Sequence, residues 1–121
     1  GSGQIVVLEM EALATSASST LISDTFTASS VPSQARIVLF ADLSDDLNTD
    51  VTASITRDNS TFNAVTLVDS GYVTGSSGTK VYTGSTPLTG TASPQVQLRW
   101  KIVGSSQTAE NKIHGVSLQW G

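Results

Sequence analysis

The sequence predicts an all-β domain, an antiparallel β-sandwich or jelly roll of about seven or eight strands. Three observations carry that expectation. Apolar and polar residues alternate with period two from about residue 19 onward. Clusters of Ser, Gly, Asn, Asp and Pro interrupt the alternation at roughly regular spacing. And 121 residues suffice for one core but not for two.

Gly1, Ser2 and Gly3 read as a cloning remnant and are set aside. Residues 4–18 are expected to form an N-terminal strand or a stalk connection to a longer polypeptide. Ile5, Val6 and Val7 favour strand, whereas Glu9, Met10, Glu11, Ala12, Leu13 and Ala14 favour helix by propensity. The sandwich domain is expected over 19–121.

Its first strand runs from Thr20 to Thr27 and stops at Ser29-Ser30-Val31-Pro32. The second runs from Ala35 to Leu43. Ala35, Ile37, Leu39 and Ala41 share one face, and Arg36, Val38, Phe40 and Asp42 the other, so both faces are fairly apolar, as in a central strand. In the third, Val51, Ala53 and Ile55 alternate with Thr52, Ser54 and Thr56, giving one apolar and one hydroxyl-lined face. Arg57-Asp58-Asn59-Ser60 supplies turn chemistry, because Asp and Asn bond their own main chain and tolerate left-handed backbone.

Thr61 to Val68 then returns as the hairpin partner of the third strand. Residues 69–79 read as a Gly- and Ser-rich loop around a short Tyr72-Val73 segment, and Lys80 to Thr83 as a short strand. Pro87, Gly90 and Pro94 confine the next stretch to a loop or an edge. The clearest strand follows, with Val96, Leu98, Trp100 and Ile102 alternating with Gln97, Arg99, Lys101 and Val103. Residues 104–111 connect it to a last strand whose inward set is Val116, Leu118 and Trp120, with a bulge expected at Gly115.

The side chains that perform chemistry are few. There is no Cys, one His (His114) and six Lys plus Arg, so an enzyme's convergent nucleophiles, bases or ligands are not expected. Charged residues make up 13% of the chain, about half the usual share, and Ser, Thr, Asn, Gln and Gly must build the surface. A net charge of −4 with no basic run disfavours nucleic acid. No stretch approaches the ~20 apolar residues of a membrane span. His114 has no second His, no Cys and no carboxylate at metal-ligand spacing in its own strand and reads as a strand histidine at a subunit or sheet boundary.

Two weaker constellations remain. Asp46-Leu47-Asn48-Thr49-Asp50 has the spacing that opens a calcium loop, with Asp46, Asn48 and Asp50 as ligands, helped by Asp45. The sixth position is Val51 rather than Gly and the twelfth Arg57 rather than Glu, so an ordinary interstrand loop explains the same residues. Trp100 and Trp120 fall on inward positions, whereas Tyr72 and Tyr82 lie beside Gly- and Ser-rich loops. Tyr72 and Tyr82, with Asn48 and Asp50, are therefore the candidate receptor-binding residues, and the loops at 44–50 and 69–79 the candidate contact surfaces.

From about residue 20 to the end the sequence resembles C-terminal domains of structural proteins from tailed bacteriophages, a type frequent in marine phages. The residues that carry the resemblance are Asn48-Thr49-Asp50 leading into 51–62, and the ending Lys112-Ile113-His114-Gly115-Val116-Ser117-Leu118-Gln119-Trp120-Gly121. In such domains a strand ending in Ser-Arg-Asp leads through a Gly-containing turn to Thr-Trp. Here the turn is shorter and Phe62 stands where Trp is usual. The stretch is also loosely similar to the Asp-box turn of sialidases and propellers, one residue short between Asp58 and Thr61, a motif that marks a stable hairpin.

The resemblance implies a virion component, a tail-fibre or tail-spike tip or a head-attached fibre, usually a homotrimer. It would be made in the bacterial cytoplasm and carried on the particle surface, among other virion proteins and facing a bacterial surface glycan. The alternatives are a carbohydrate-binding module of a secreted enzyme, monomeric with a structural calcium, and a capsid decoration protein.

Overall fold

The computed structural model describes residues 3–7, 18–43, 46–72, 78–105 and 112–121. The chain is all-β over these residues, with ten strands in two antiparallel sheets. In order they are β1 (Gly3–Val7), β2 (Ser18–Ile22), β3 (Phe26–Thr27), β4 (Gln34–Asp42) and β5 (Val51–Thr56). Then come β6 (Asn63–Val65), β7 (Val68–Tyr72), β8 (Lys80–Pro87), β9 (Gln97–Ser105) and β10 (Lys112–Trp120). One sheet has the order β1-β10-β4-β8-β7; the other has β2-β9-β5-β6, with β3 on the same β9 strand.

The pairings are nested. β5 pairs with β6, β4 with β8, β2 and β3 with β9, and β1 with β10. A long antiparallel hairpin rolled over onto itself gives this pattern, which is the jelly roll. Two strand paths are each broken into two segments, so ten segments trace eight paths.

The first break lies between β2 and β3, where one strand was expected over 20–27. Ser23 ends the regular ladder: its N–H donates to the Trp100 carbonyl (3.0 Å) and its Oγ accepts the Trp100 N–H (3.1 Å). A side chain thus replaces a backbone acceptor, and Asp24 and Thr25 stand out of the sheet before Phe26 rejoins β9 opposite Leu98.

The second break overturns the expectation of a single hairpin strand over 61–68. Only Asn63–Val65 pairs with β5; after Thr66 and Leu67 the chain leaves that sheet and continues as β7 beside β8 in the other. Strands that switch sheets make the corners of sandwiches. Val65 and Leu67 are both buried, so the inward alternation survives the change of sheet. Two features hold the corner. The Asn48 side chain clamps it, accepting the Leu67 N–H at Oδ1 (2.8 Å) and donating from Nδ2 to the Leu67 carbonyl (2.8 Å). Gly84 of β8 lets the corner come close, because a Cβ there would collide with the Thr66 carbonyl and the Val65 side chain.

Elsewhere the strands extend beyond their expected ends. β8 continues from Thr83 to Pro87, and 69–72, expected as loop, belong to β7, which bulges between Asp69 and Tyr72 with Gly71 at φ +98°. Gly3, set aside with the remnant, pairs with Trp120; residues 4–7 are strand, and 8–17 lie outside the described residues. The expected bulge in β10 is present, between Ile113 and Gly115.

The core is the set of inward positions given by alternation: Ile37 and Leu39 from β4, Val51 and Ile55 from β5, Leu98, Trp100 and Ile102 from β9, and Val116 and Leu118 from β10, all fully buried. Burial of Trp100 contributes about 3 kcal/mol. Its indole N–H has no hydrogen-bond partner among the described residues. Because the atoms facing Gly84 include backbone, which yields little, Gly84→Ala is expected to lower stability by about 1–3 kcal/mol, read as a shift of the urea unfolding midpoint at constant slope.

Candidate functional site

Edge strand β7 presents the most exposed aromatic ring of the described residues. Tyr72 is 68% exposed. The bulge at Gly71 turns the backbone at the sheet edge, a usual place for a strand to re-aim a side chain. Asp69 accepts the Gly71 N–H at Oδ1 (2.9 Å) and the Lys80 ammonium at Oδ2 (2.7 Å). Lys80 Nζ in turn lies 4.8 Å from the centre of the Tyr72 ring, within cation–π range. The Lys80 hydrogen bond, aided by the Gly71 N–H, holds the Asp69 carboxyl below its ordinary range, and the same bond raises Lys80. Both groups stay charged near neutrality, so one face of the ring is braced by an ion pair.

Tyr82, the second aromatic expected in an exposed contact, is corrected by the structure. It is only 6% exposed and belongs to the core. β8 runs past Thr83 as a paired strand and Tyr82 takes an inward position opposite Leu39. Burial first, and then the negative Asp69, push its hydroxyl up. The sequence placed Tyr82 on a short strand next to the Gly- and Ser-rich stretch 69–79, whereas it sits within the longer β8, paired on both sides.

Residues 46–50 form a tight turn rather than an open ligand loop. The Asp46 carbonyl accepts the N–H groups of Asp50 (2.8 Å) and Val51 (3.1 Å), and Asn48 adopts φ +65°. Both polar atoms of the Asn48 carboxamide are engaged by Leu67, so this expected receptor-binding and calcium ligand serves the corner instead. Asp50 Oδ2 lies 3.4 Å from the Asp46 N–H. Among the described residues no three His, Cys, Asp or Glu side chains gather as a metal group; Asp45, the helper ligand, lies outside them. Of the four receptor-binding candidates, Tyr72 is the one whose apolar surface is open. The structure adds Asp69, which the sequence placed in the loop 69–79, and Lys80, which it placed at the start of the following strand.

The opposite end of the sandwich, formed by the connections at 28–33, 57–62 and 88–96, is organised by Asp58. This carboxylate is 6% exposed. Its Oδ1 accepts the Thr56 hydroxyl (2.9 Å) and the N–H groups of Ser60 (2.9 Å) and Thr61 (2.8 Å), and its Oδ2 the N–H of Ala92 (3.0 Å). Gly90 leaves room for it, since a Cβ there would strike the carboxylate. Neighbouring Arg57 donates from Nε to the Gly90 carbonyl (2.8 Å) and from Nη1 to the Pro32 carbonyl (2.8 Å). The sequence marked Asp58 as a turn residue, but its reach to 88–92 depends on which connections share an end of the fold.

His114, the extra residue at the β10 bulge, is half-buried, with Nε2 3.0 Å from Asp42 Oδ2. On the other sheet Lys101 Nζ lies 4.1 Å from the Phe62 ring centre.

Burial pushes the Asp58 carboxyl up, but the N–H groups of Thr61, Ser60 and Ala92 and the Thr56 hydroxyl outweigh it and hold the group well below the ordinary carboxylate range. A carboxylate depressed on folding adds stability above its unfolded pKa, near 3.8, and loses it as pH falls below that value toward its folded one. Asp58→Asn sets an amide NH₂ against the Ala92 N–H or the three donors on the other oxygen. It is expected to cost about 1–3 kcal/mol at neutral pH and to flatten the fall in stability below about pH 4, checked by urea unfolding across pH.

No protein-family model matches the chain, and no curated protein matches it either.

Proposed function

We propose that the chain is a non-enzymatic structural module of a bacteriophage virion, a tail-fibre or spike tip or a head-attached fibre, that assembles with copies of itself. The observation that carries this reading is the role of the residues on which the phage resemblance rests. Thr56, Arg57, Asp58, Ser60 and Thr61 spend their polar groups on one another and on the connections at 32 and 90–92. A motif used in that way describes a scaffold and not a reaction centre. Jelly rolls build both viral shells and lectins, and a scaffold of this kind leaves the edge strand and the opposite loops to make contacts. Three copies is the number the resemblance implies, and the particle surface is the place.

Contact with a bacterial surface glycan is assigned to Tyr72. Its braced ring offers one open face to the C–H side of a sugar, with the Asp69–Lys80 ion pair beside it. Single contacts of this kind are weak, and several copies on one particle multiply them. The same ring favours the second reading, a carbohydrate-binding module of a secreted enzyme, in which the chain acts alone.

Light scattering on the purified chain separates the two. A mass above that of one subunit, unchanged by a calcium chelator, supports the virion reading, whereas a monomer destabilised by the chelator favours the module. For the contact itself, Tyr72→Ala is expected to reduce binding of the labelled chain to host cells at least tenfold. Its stability should change by less than about 0.5 kcal/mol, as for other exposed positions. Unchanged binding removes Tyr72 from the receptor site.

A further inference from the structure

The outward side of β9 carries Arg99 and Lys101, two positions apart on one strand face and so about 7 Å apart along it. Leu98, Trp100 and Ile102 take the inward side. Across the sheet Lys101 pairs with Ser54 and Arg99 with Thr56. Ile55 pairs with Asn63, so Phe62 stands beside Thr56 and continues the row of Arg99 past β5. Lys101, one row away, meets this ring, with Nζ 4.1 Å from its centre.

Both cations are positioned by neutral groups. Arg99 donates from Nε to the Thr25 hydroxyl (3.0 Å) and from Nη1 to the Asn59 carboxamide oxygen (3.3 Å), and its Nη2 has no partner among the described residues. Thr25 is in reach because the chain leaves the ladder between Ile22 and Phe26. Asn59 is in reach because it stands in left-handed backbone, φ +61°, in the turn built on Asp58. The ion pairs among the described residues are Lys80–Asp69 and His114–Asp42. Neither Arg99 nor Lys101 is therefore neutralised, and exposed Asp24, next to Thr25, pairs with neither. Two like charges side by side repel until an anion joins them. A guanidinium already held by its neighbours also loses less freedom when that anion arrives.

The surroundings narrow the anion. Two cations suit a single oxyanion group, because the planar fork of Arg takes its oxygens and Lys adds a point charge. Ser54, Thr25 and Asn59 add hydroxyl and amide groups of the kind that sugar hydroxyls bond. A nucleic-acid backbone would call for a longer row of cations, and the chain's net charge of −4 repels it.

We infer that the outward side of the β2-β9-β5-β6 sheet binds an acidic saccharide, with its oxyanion group at Arg99 and Lys101 and its hydroxyls against Ser54 and Asn59. The site lies on the other sheet from Tyr72, and the inference does not depend on the virion reading.

The test is calorimetric titration of the purified chain with an oligogalacturonate, whose oxyanion is a carboxylate, and with a glucose phosphate. Inorganic phosphate and the methyl ester of the oligogalacturonate are the controls, and urea unfolding checks that each variant folds. At least one of the two acidic saccharides is expected to bind, and the methyl ester is not. Arg99→Gln should weaken binding at least tenfold, the loss of a charge-assisted hydrogen bond. Lys101→Met keeps the apolar stem over Phe62, gives a second route should Arg99→Gln disturb the turn at Asn59, and should weaken binding as well. Arg36→Gln removes a cation from the other sheet and should leave binding unchanged.

Binding of the uronate alone or of the sugar phosphate alone supports the site and identifies its oxyanion. No binding of either, binding that survives both Arg99→Gln and Lys101→Met, or a methyl ester that binds as well as the acid would each overturn it. Inorganic phosphate bound as tightly as the saccharides would overturn it too, leaving a simple anion site. Any of these failures leaves the Tyr72 contact and the virion reading standing.

Discussion

A carboxylate taken out of water inside a small β-domain is unfavourable unless its oxygens are fully hydrogen-bonded. Asp58 meets that condition with four donors from two connections. Much else depends on it. The turn at 59–61 closes the β5–β6 hairpin on its oxygen, and the stretch at 90–92 is drawn in against it. The Arg57 carbonyl beside it accepts the Gln97 N–H (2.8 Å) where β9 begins. Arg57 then extends the same junction to the connection before β4. One hairpin turn and two crossings between the sheets are set from one buried charge, and removing its partners would strand a charge and not merely lose a contact.

The other end is built on a different principle. There the chain changes sheets at Thr66 and Leu67, and the fastening is a neutral carboxamide, Asn48, on a turn in left-handed backbone. A neutral clamp does not titrate, so acid loosens the Asp58 end and leaves the corner alone. Gly84 completes the corner by having no side chain where two backbones approach. The edge strand leaving this corner carries Tyr72, whose ring is braced by the Asp69–Lys80 ion pair, so strong acid that protonates Asp69 loosens the brace while the Asn48 clamp holds.

The alternation of β4, β5, β9 and β10 was legible in the sequence because these strands have one fully apolar side, and the bulge at Gly115 because a glycine interrupts that alternation. The break at Ser23 was not, since a serine that lends its side chain to a neighbouring strand looks like any strand serine. Nor was the sheet change after Val65: period two reports which side of a ribbon faces inward and is silent on which sheet the ribbon joins. Tyr82 was misplaced for a related reason, as the Gly- and Ser-rich stretch before it suggests an open loop while pairing with β4 and β7 holds it in a central strand. Asn48 and Asp50 were picked as oxygen ligands by spacing, and spacing does not show that the Asn48 amide is already engaged across the fold.

Nested pairing also shapes how the chain reaches this structure. The innermost pair, β5 with β6, is local in sequence and is closed by the Asp58 turn; the outermost, β1 with β10, joins residues almost the whole chain apart. Each pair formed shortens the effective loop that the next must close, so the entropy of joining distant segments is met in small steps and not in one. A jelly roll has a high contact order and should fold slowly for its size. Zipping outward from the Asp58 hairpin is the order of pairing that keeps each loop closure short, and the residues that tie the finished loops together lie at its start.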